Sequence, residues 1–206
     1  MTESVSDPVD AYLRSLEDTV HQISREEVWS VIGVLFDGWR RGARIFILGN
    51  GGSAATASHM ANDLNKGASV PGQPRFKAIA LTDNVPLMTA WGNDTSYENI
   101  FVEQMMNFLE SGDVVIAISA SGNSPNVLRA LRVARQYSAI TIGFTGRDGG
   151  QLRRLVDHGV FIPSDHIGQQ EDGHMILDHV ITSALRQLVE AEAVPATTGI
   201  KDGIGY

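Results

Sequence analysis

Apolar positions in the first forty residues recur at helical spacing. Asp7 and Pro8 open a run in which Val9, Leu13, Leu16, Val20 and Ile23 share one face, predicting an amphipathic helix to about residue 23. Ser24, Arg25, Glu26 and Glu27 have the form of a capping box. Trp29, Ile32, Phe36 and Trp39 then mark a second helix ending near Gly42. From Arg44 the period changes. Ile45, Phe46, Ile47 and Leu48 form a short continuous apolar run, followed by a glycine-rich turn at 49–53 and a helical stretch to about Lys66. The unit recurs: 78–81 precedes a helical stretch at 85–91, and 114–118 precedes another at 125–137. The run 140–144 precedes a polar turn at 145–150 with a short helix, and 160–163 forms a last strand. Residues 97–109 read as a further helix with Ile100, Phe101, Met105 and Phe108 on its apolar side. A long helix runs from about Gln170 to Ala193, where Pro195 stops it.

Short apolar strands alternating with helices imply an α/β fold with a parallel sheet covered on both faces. Five strands predict a flavodoxin-like three-layer sandwich. The chain divides into an N-terminal helical pair (1–42) packing on the core or on a subunit interface, an α/β body (43–194) and a glycine-rich, poorly ordered tail (195–206). The loop 66–73, rich in Gly, Ser and Pro, is expected to be mobile and near the site.

The 206 residues suffice for one substantial core. A formal net charge of −8 argues against a nucleic-acid backbone or an anionic membrane as the main partner. The sequence has no cysteine, which removes disulfides and thiolate metal sites. The acidic, polar start lacks the pattern of a signal peptide, and no apolar run approaches membrane-spanning length, so a cytoplasmic location is expected. An acidic chain still binds a small phosphorylated ligand where local N–H groups and hydroxyls converge.

Such a place follows the third apolar run. Ser119, Ser121 and Ser124 lie where a buried strand hands over to a helix opened by Pro125. Free N–H groups and the helix dipole there favour an anion, and phosphate is the natural guest. The plainer reading is that Ser124 caps the helix and the other serines are turn residues. In an open parallel sheet, ligands bind beyond the carboxyl ends of the strands, where both this turn and 49–53 lie. His59 and Asp63, four residues apart on one helix face, suit one metal, one substrate or a surface hydrogen bond. A second group is the run Glu171-Asp172-Gly173-His174-Met175-Ile176-Leu177-Asp178-His179, in which His174 reads as an ordinary capped or buried histidine. Glu171 and His179 are separated by eight positions, about 12 Å along a helix, too far for one straight helix to bring both to one ion. Either Glu171 lies in an irregular helix entry or a neighbouring subunit supplies part of the site. Imidazoles and carboxylates without thiolates suit zinc, nickel, manganese or iron.

The turn at 49–53, Gly92-Asn93-Asp94, Gly112-Asp113, the serine turn and the turn at 145–150, in this order and spacing, resemble the sugar isomerase (SIS) domain. With His59 and His179 in place, the chain is similar to the phosphoheptose isomerases over nearly its whole length. The resemblance implies an aldose–ketose isomerase converting sedoheptulose 7-phosphate to D-glycero-D-manno-heptose 7-phosphate. By that resemblance, Ser119, Ala120, Ser121 and Ser124 line the phosphate, and Asn50, Gly51, Gly52 and Ser53 line the sugar. Asn93 and Asp94 meet its hydroxyls. One zinc ion per subunit is held by His59, Asp63, Glu171 and His179. Asp63 or Glu171 is the base and His179 the acid. A homotetramer with sites at subunit interfaces is also implied. Asp63 stands where glutamate is commoner, Glu171 where many relatives have glutamine, Ala120 where threonine is usual, and Gly67 where arginine is common. The alternatives are a non-catalytic phosphosugar-binding regulator of the same fold, or an isomerase acting on another phosphosugar.

Overall fold

In a computed structural model, which describes residues 7–193, the apolar runs become five parallel strands: β1 (Arg44–Gly49), β2 (Lys77–Ala80), β3 (Val114–Ser119), β4 (Ile140–Gly146) and β5 (His158–Ile162). They pair in the order β2-β1-β3-β4-β5, the expected flavodoxin-like arrangement. Seven α-helices flank the sheet: α1 (Pro8–His21), α2 (Arg25–Arg41), α3 (Gly52–Asn62), α4 (Val85–Asp94), α5 (Val102–Met105), α6 (Pro125–Gln136) and α7 (Ile167–Glu192). The expected tail at 195–206 lies outside the described residues. Among the described residues, no helix is long and apolar enough to cross a membrane.

Alternation along the strands divides the core in two. Ile45, Ile47, Val114, Ile116 and Ile118 point to the layer formed by α2, α3 and α7, where they meet Leu35, Met60, Leu64, Leu177 and Ile181. Phe46, Leu48, Val115 and Ala117 point the other way, onto Phe101, Met105, Val127 and Leu131 of the opposite layer. Both faces are covered, so the central runs 45–48 and 114–118 are apolar at every position, and each large side chain buried contributes about 1.5–3 kcal/mol. The N-terminal helices are delimited as their caps predict. Ser24 Oγ accepts the Glu27 N–H at 3.2 Å, and Gly42 closes α2 with φ +68°.

Three elements depart from the pattern. Residues 97–109 do not form one helix. A 3-10 turn (Tyr97–Asn99) and the single turn of α5 break it, and Phe108 is exposed. The break lets the buried Gln104 amide donate to the Leu81 carbonyl at 2.9 Å, just beyond β2. The helix after the glycine turn ends at Asn62 and continues as a π turn over Asp63–Gly67. That widening seats Asn65 against the edge strand, where its side chain pairs with both the N–H and the carbonyl of Ala78. Finally, α7 starts at Ile167, three residues before the expected point, so Glu171 lies on a regular helical turn rather than in an irregular entry.

Candidate functional site

Gly49 at the end of β1 is in register with Ile118 of β3, so the turns that follow these strands leave the sheet side by side. β2 continues the sheet on one side of β1 and β3 on the other, which makes this the topological switch point. The turns enclose a cavity of about 170 Å³ lined by Asn50, Ser53, Ser119, Ala120, Ser121 and Ser124, with Ile118, Ile167 and Glu171 completing the wall. Two helices begin at it, α3 after Gly51 and α6 after Ser124. Ser124 occupies the N-cap position, yet its hydroxyl makes no capping hydrogen bond. The purely structural role for this serine is therefore unfilled, and its oxygen remains available to a ligand. Uncapped N–H groups, two helix N-termini and several hydroxyls together suit an anion.

The glycines of the turns are required by close approach. Gly122 has φ +63°, and a Cβ there would lie 2.1 Å from the Gly149 carbonyl oxygen. A Cβ on Gly52 would lie 2.2 Å from Glu171 Oε1, because the Glu171 carboxylate comes down on the first turn of α3. A negative group is favoured at that helix start. The same charge faces any incoming phosphate, which glutamine would not.

Sequence reasoning missed Asn126, which couples the turns. Its amide and that of Asn50 bond reciprocally, Asn50 Nδ2 to Asn126 Oδ1 at 2.9 Å and Asn126 Nδ2 to Asn50 Oδ1 at 2.8 Å. Asn126 Oδ1 also accepts the Val127 N–H at 3.0 Å, and the Tyr97 hydroxyl donates to Asn50 Oδ1 at 3.2 Å. The only trace of it in the sequence is an asparagine between Pro125 and Val127 at a helix start; the structure buries it almost completely. Asn93 and Asp94, expected to meet the sugar hydroxyls, lie at the exposed end of α4, bonded to each other at 2.9 Å, and neither lines the cavity.

A second constellation lies farther along α3 and α7. His59, Asp63, Asp178 and His179 each present a ligand atom within 4.8 Å of the others. His59 Nε2 is 3.3 Å from His179 Nε2 and 3.5 Å from Asp63 Oδ2. Three of these four are the residues predicted. Within one chain Glu171 is not among them: two turns of α7 separate it from His179, and its carboxylate lies over Gly52 and lines the serine cavity. Asp178 takes a place in the cluster that sequence reasoning did not assign. Burial pushes the Asp178 carboxyl up to about 6, and the negative charge of Asp63 adds to the rise. His59, His179 and the Thr182 hydroxyl oppose it. The donor types fit a divalent cation of the zinc class, and the Asp178 Oδ2 atom is buried without a hydrogen-bond partner. His174 faces the other side of the helix. Its ring stacks on Phe144 with centroids 6.5 Å apart, and burial lowers its pKa to about 4, which the nearby Thr145 carbonyl only partly offsets.

The family model described as SIS domain matches residues 11–146. The phosphoheptose isomerase of Geotalea daltonii is 34% identical over 93% of this chain and 99% of its own length, and that of Geobacter sulfurreducens is 37% identical over 92% and 99%. Among solved structures, the phosphoheptose isomerase of Neisseria gonorrhoeae superposes with a TM-score of 0.82 at 27% identity, covering 89% of this chain and 100% of that one. A sheet with its switch-point serine cavity and a paired-histidine cluster on α3 and α7 is thus accompanied by similarity over nearly the whole length, and the chain belongs to the SIS domain family, among the phosphoheptose isomerases.

Proposed function

We propose that this protein converts sedoheptulose 7-phosphate to D-glycero-D-manno-heptose 7-phosphate. The observation that carries the reading is that α3 and α7 each contribute both to the serine cavity and to the His–Asp cluster. Ser53 and His59 are six residues apart on α3, about 9 Å along the axis. A phosphate held in the cavity therefore leaves an extended sugar chain directed along these helices toward the cluster.

Interconverting a ketose and an aldose moves a hydrogen between adjacent carbons through an enediol, which requires a base at carbon and an acid at oxygen. Asp63, in the cluster, is the base of this proposal, and His179 is the acid. Glu171, at the phosphate end, orients the substrate instead. Ser119, Ser121, Ser124 and Ser53 hold the phosphate, with Asn50 fixed by Asn126. A divalent cation, zinc by its donor types, fits His59, Asp63 and their neighbours on α7, and when bound it supplies polarisation of the substrate carbonyl. That histidines from α3 and α7 meet favours an enzyme over a regulatory phosphosugar binder.

The proposal extends to a cytoplasmic homotetramer with the N-terminal helical pair as an interface element. Trp29 is 59% exposed and Val180, beside His179, 48% exposed; Val9 and Leu13 of α1 are also exposed. An apolar groove between α1, α2 and α7 joins Trp29 to Val180, and contiguous exposed apolar surface marks an interaction site. Light scattering of a fully active monomer would contradict the assembly.

The decisive experiment incubates the protein with sedoheptulose 7-phosphate, with and without chelator, and follows heptose 7-phosphate. Conversion that stops on chelation and returns with zinc supports the reading. No conversion with any divalent metal refutes it. His179→Ala is expected to remove most turnover, by a factor on the order of 10² to 10⁴ for loss of a positioned acid, while the circular dichroism spectrum stays unchanged.

A further inference from the structure

We propose that Arg147 binds the phosphate group of the substrate, exchanging its present partner Asp165 for the ligand. The inference rests on the serine cavity being the phosphosugar site. The cavity is lined by hydroxyls, small residues and one amide, together with the Glu171 carboxylate, and its lining holds no lysine, arginine or histidine. A phosphate monoester brings about 1.5 to 2 negative charges at neutral pH. Helix N-termini and backbone N–H groups offset part of that charge, and a cation at the rim offsets the rest.

Arg147 is anchored to that rim at both ends. It follows Gly146, whose N–H donates to the carbonyl of the cavity residue Ala120 at 3.1 Å. The turn it opens is tied to the serine turn twice more. Leu152 N–H donates to the Gly122 carbonyl at 3.0 Å, and Gln151 N–H to Asn123 Oδ1 at 3.1 Å. At the far end of the side chain, Nε lies 3.2 Å from Asp165 Oδ1, and Nη2 donates to the Asp165 carbonyl at 3.4 Å. Asp165 precedes by two residues Ile167, which also lines the cavity. The side chain therefore runs from one wall of the cavity to another, and Nη1 has no protein partner among the described residues.

Two features separate it from an ordinary surface ion pair. Arg147 has φ +49°, a left-handed conformation shared by only one other non-glycine among the described residues, Ser138. Arginine gains nothing locally from that conformation, and backbone strain of this kind collects at ligand sites. The pair is also easily exchanged, since its side chains are 61% and 92% exposed and a solvated ion pair is weak. A phosphate accepting two parallel N–H bonds from the guanidinium fork is the stronger partner.

The test titrates the full-length protein with sedoheptulose 7-phosphate and, separately, with inorganic phosphate by calorimetry, alongside steady-state kinetics. Arg147→Gln is expected to weaken binding of both ligands by about 10- to 100-fold, the range for hydrogen bonds to a charged group, with the loss carried by KM more than by kcat. Arg147→Asn, whose side chain tolerates the left-handed backbone, serves where the glutamine variant does not fold. Asp165→Asn removes the competing charge and is expected to tighten both ligands by about two- to fivefold. Added salt is expected to narrow the gap between the parent and Arg147→Gln. Unchanged affinity in a folded Arg147 variant would overturn the inference. Equal weakening in Arg147→Gln and Asp165→Asn would also overturn it, since the pair would then be a brace between the walls. In a parent that binds sedoheptulose 7-phosphate without converting it, the isomerase reading fails, while a tenfold loss in Arg147→Gln still supports the role of Arg147. A parent that binds neither ligand would overturn the cavity reading and this inference with it.

Discussion

Protonating His174 is a perturbation whose cost follows directly from its packing. The ring is 1% exposed and stacked on Phe144, and neither nitrogen makes a well-formed hydrogen bond, so the nearby Thr145 carbonyl replaces only part of the water that a charge there would lose. Its pKa falls accordingly to about 4. In the unfolded chain the imidazole titrates near 6.5, so as the pH drops the unfolded state takes up the proton first. The stability associated with this group is complete above about pH 6.5 and is lost as the pH falls toward 4. Linkage puts the loss at about 2 kcal/mol at pH 5 and about 3 kcal/mol at pH 4. Asp178 works in the opposite direction. Its raised carboxyl favours the folded state at low pH, and that advantage disappears as the pH rises from about 4 through about 6. Comparison with His174→Leu, which removes one titration and keeps the other, isolates the histidine. The assay is urea unfolding of both proteins at one fixed concentration, in chelator, between pH 7.5 and 4.5. The leucine variant is expected to be at least as stable as the parent at pH 7.5, having lost two unpaired buried nitrogens, and to gain about 2 kcal/mol on it by pH 5. Stability curves that run parallel across this range would refute the reasoning.

Two further substitutions probe the phosphate cradle. Gly52→Ala meets only the carboxylate end of a flexible side chain, so the protein is expected to fold, with a melting temperature within a few degrees of the parent, while displacement of Glu171 changes KM for the phosphosugar at least tenfold; steady-state kinetics with the unchanged KM would count against that role for Glu171. Asn126→Ala leaves the Asn50 amide without its reciprocal partner and is expected to cost about 1–3 kcal/mol of stability in urea unfolding, with a raised KM and a smaller change in kcat.

Much of this architecture was legible because local and long-range signals agree. The apolar runs at 45–48 and 114–118 are unbroken because both sheet faces are covered, and each is followed at once by turn chemistry and a helix start, which leaves few alternatives to a parallel sheet. The serine turn was equally plain, since strand end and helix start adjoin it in sequence. What was not legible depends on tertiary packing. Residues 97–109 have helical periodicity, but the bond from Gln104 to Leu81 overrides it. The distance argument separating Glu171 from His179 was correct, yet nothing local indicates that Glu171 turns to Gly52 or that Asp178 turns toward His59. Asn126 gave only a weak signal because its partner, Asn50, is 76 residues away.

The reciprocal amide pair has a consequence for the energetics of capture. Because each of Asn50 and Asn126 is both donor and acceptor to the other, neither side chain rotates without breaking two bonds, and through them the turn after β1 is tied to the turn after β3. Ligands usually lose affinity to the ordering of the loops that receive them, about 0.5–1.5 kcal/mol for each side chain immobilised. Here that ordering is completed during folding. A ligand entering this cavity meets two turns already tied to each other, so less side-chain order is left to impose on binding.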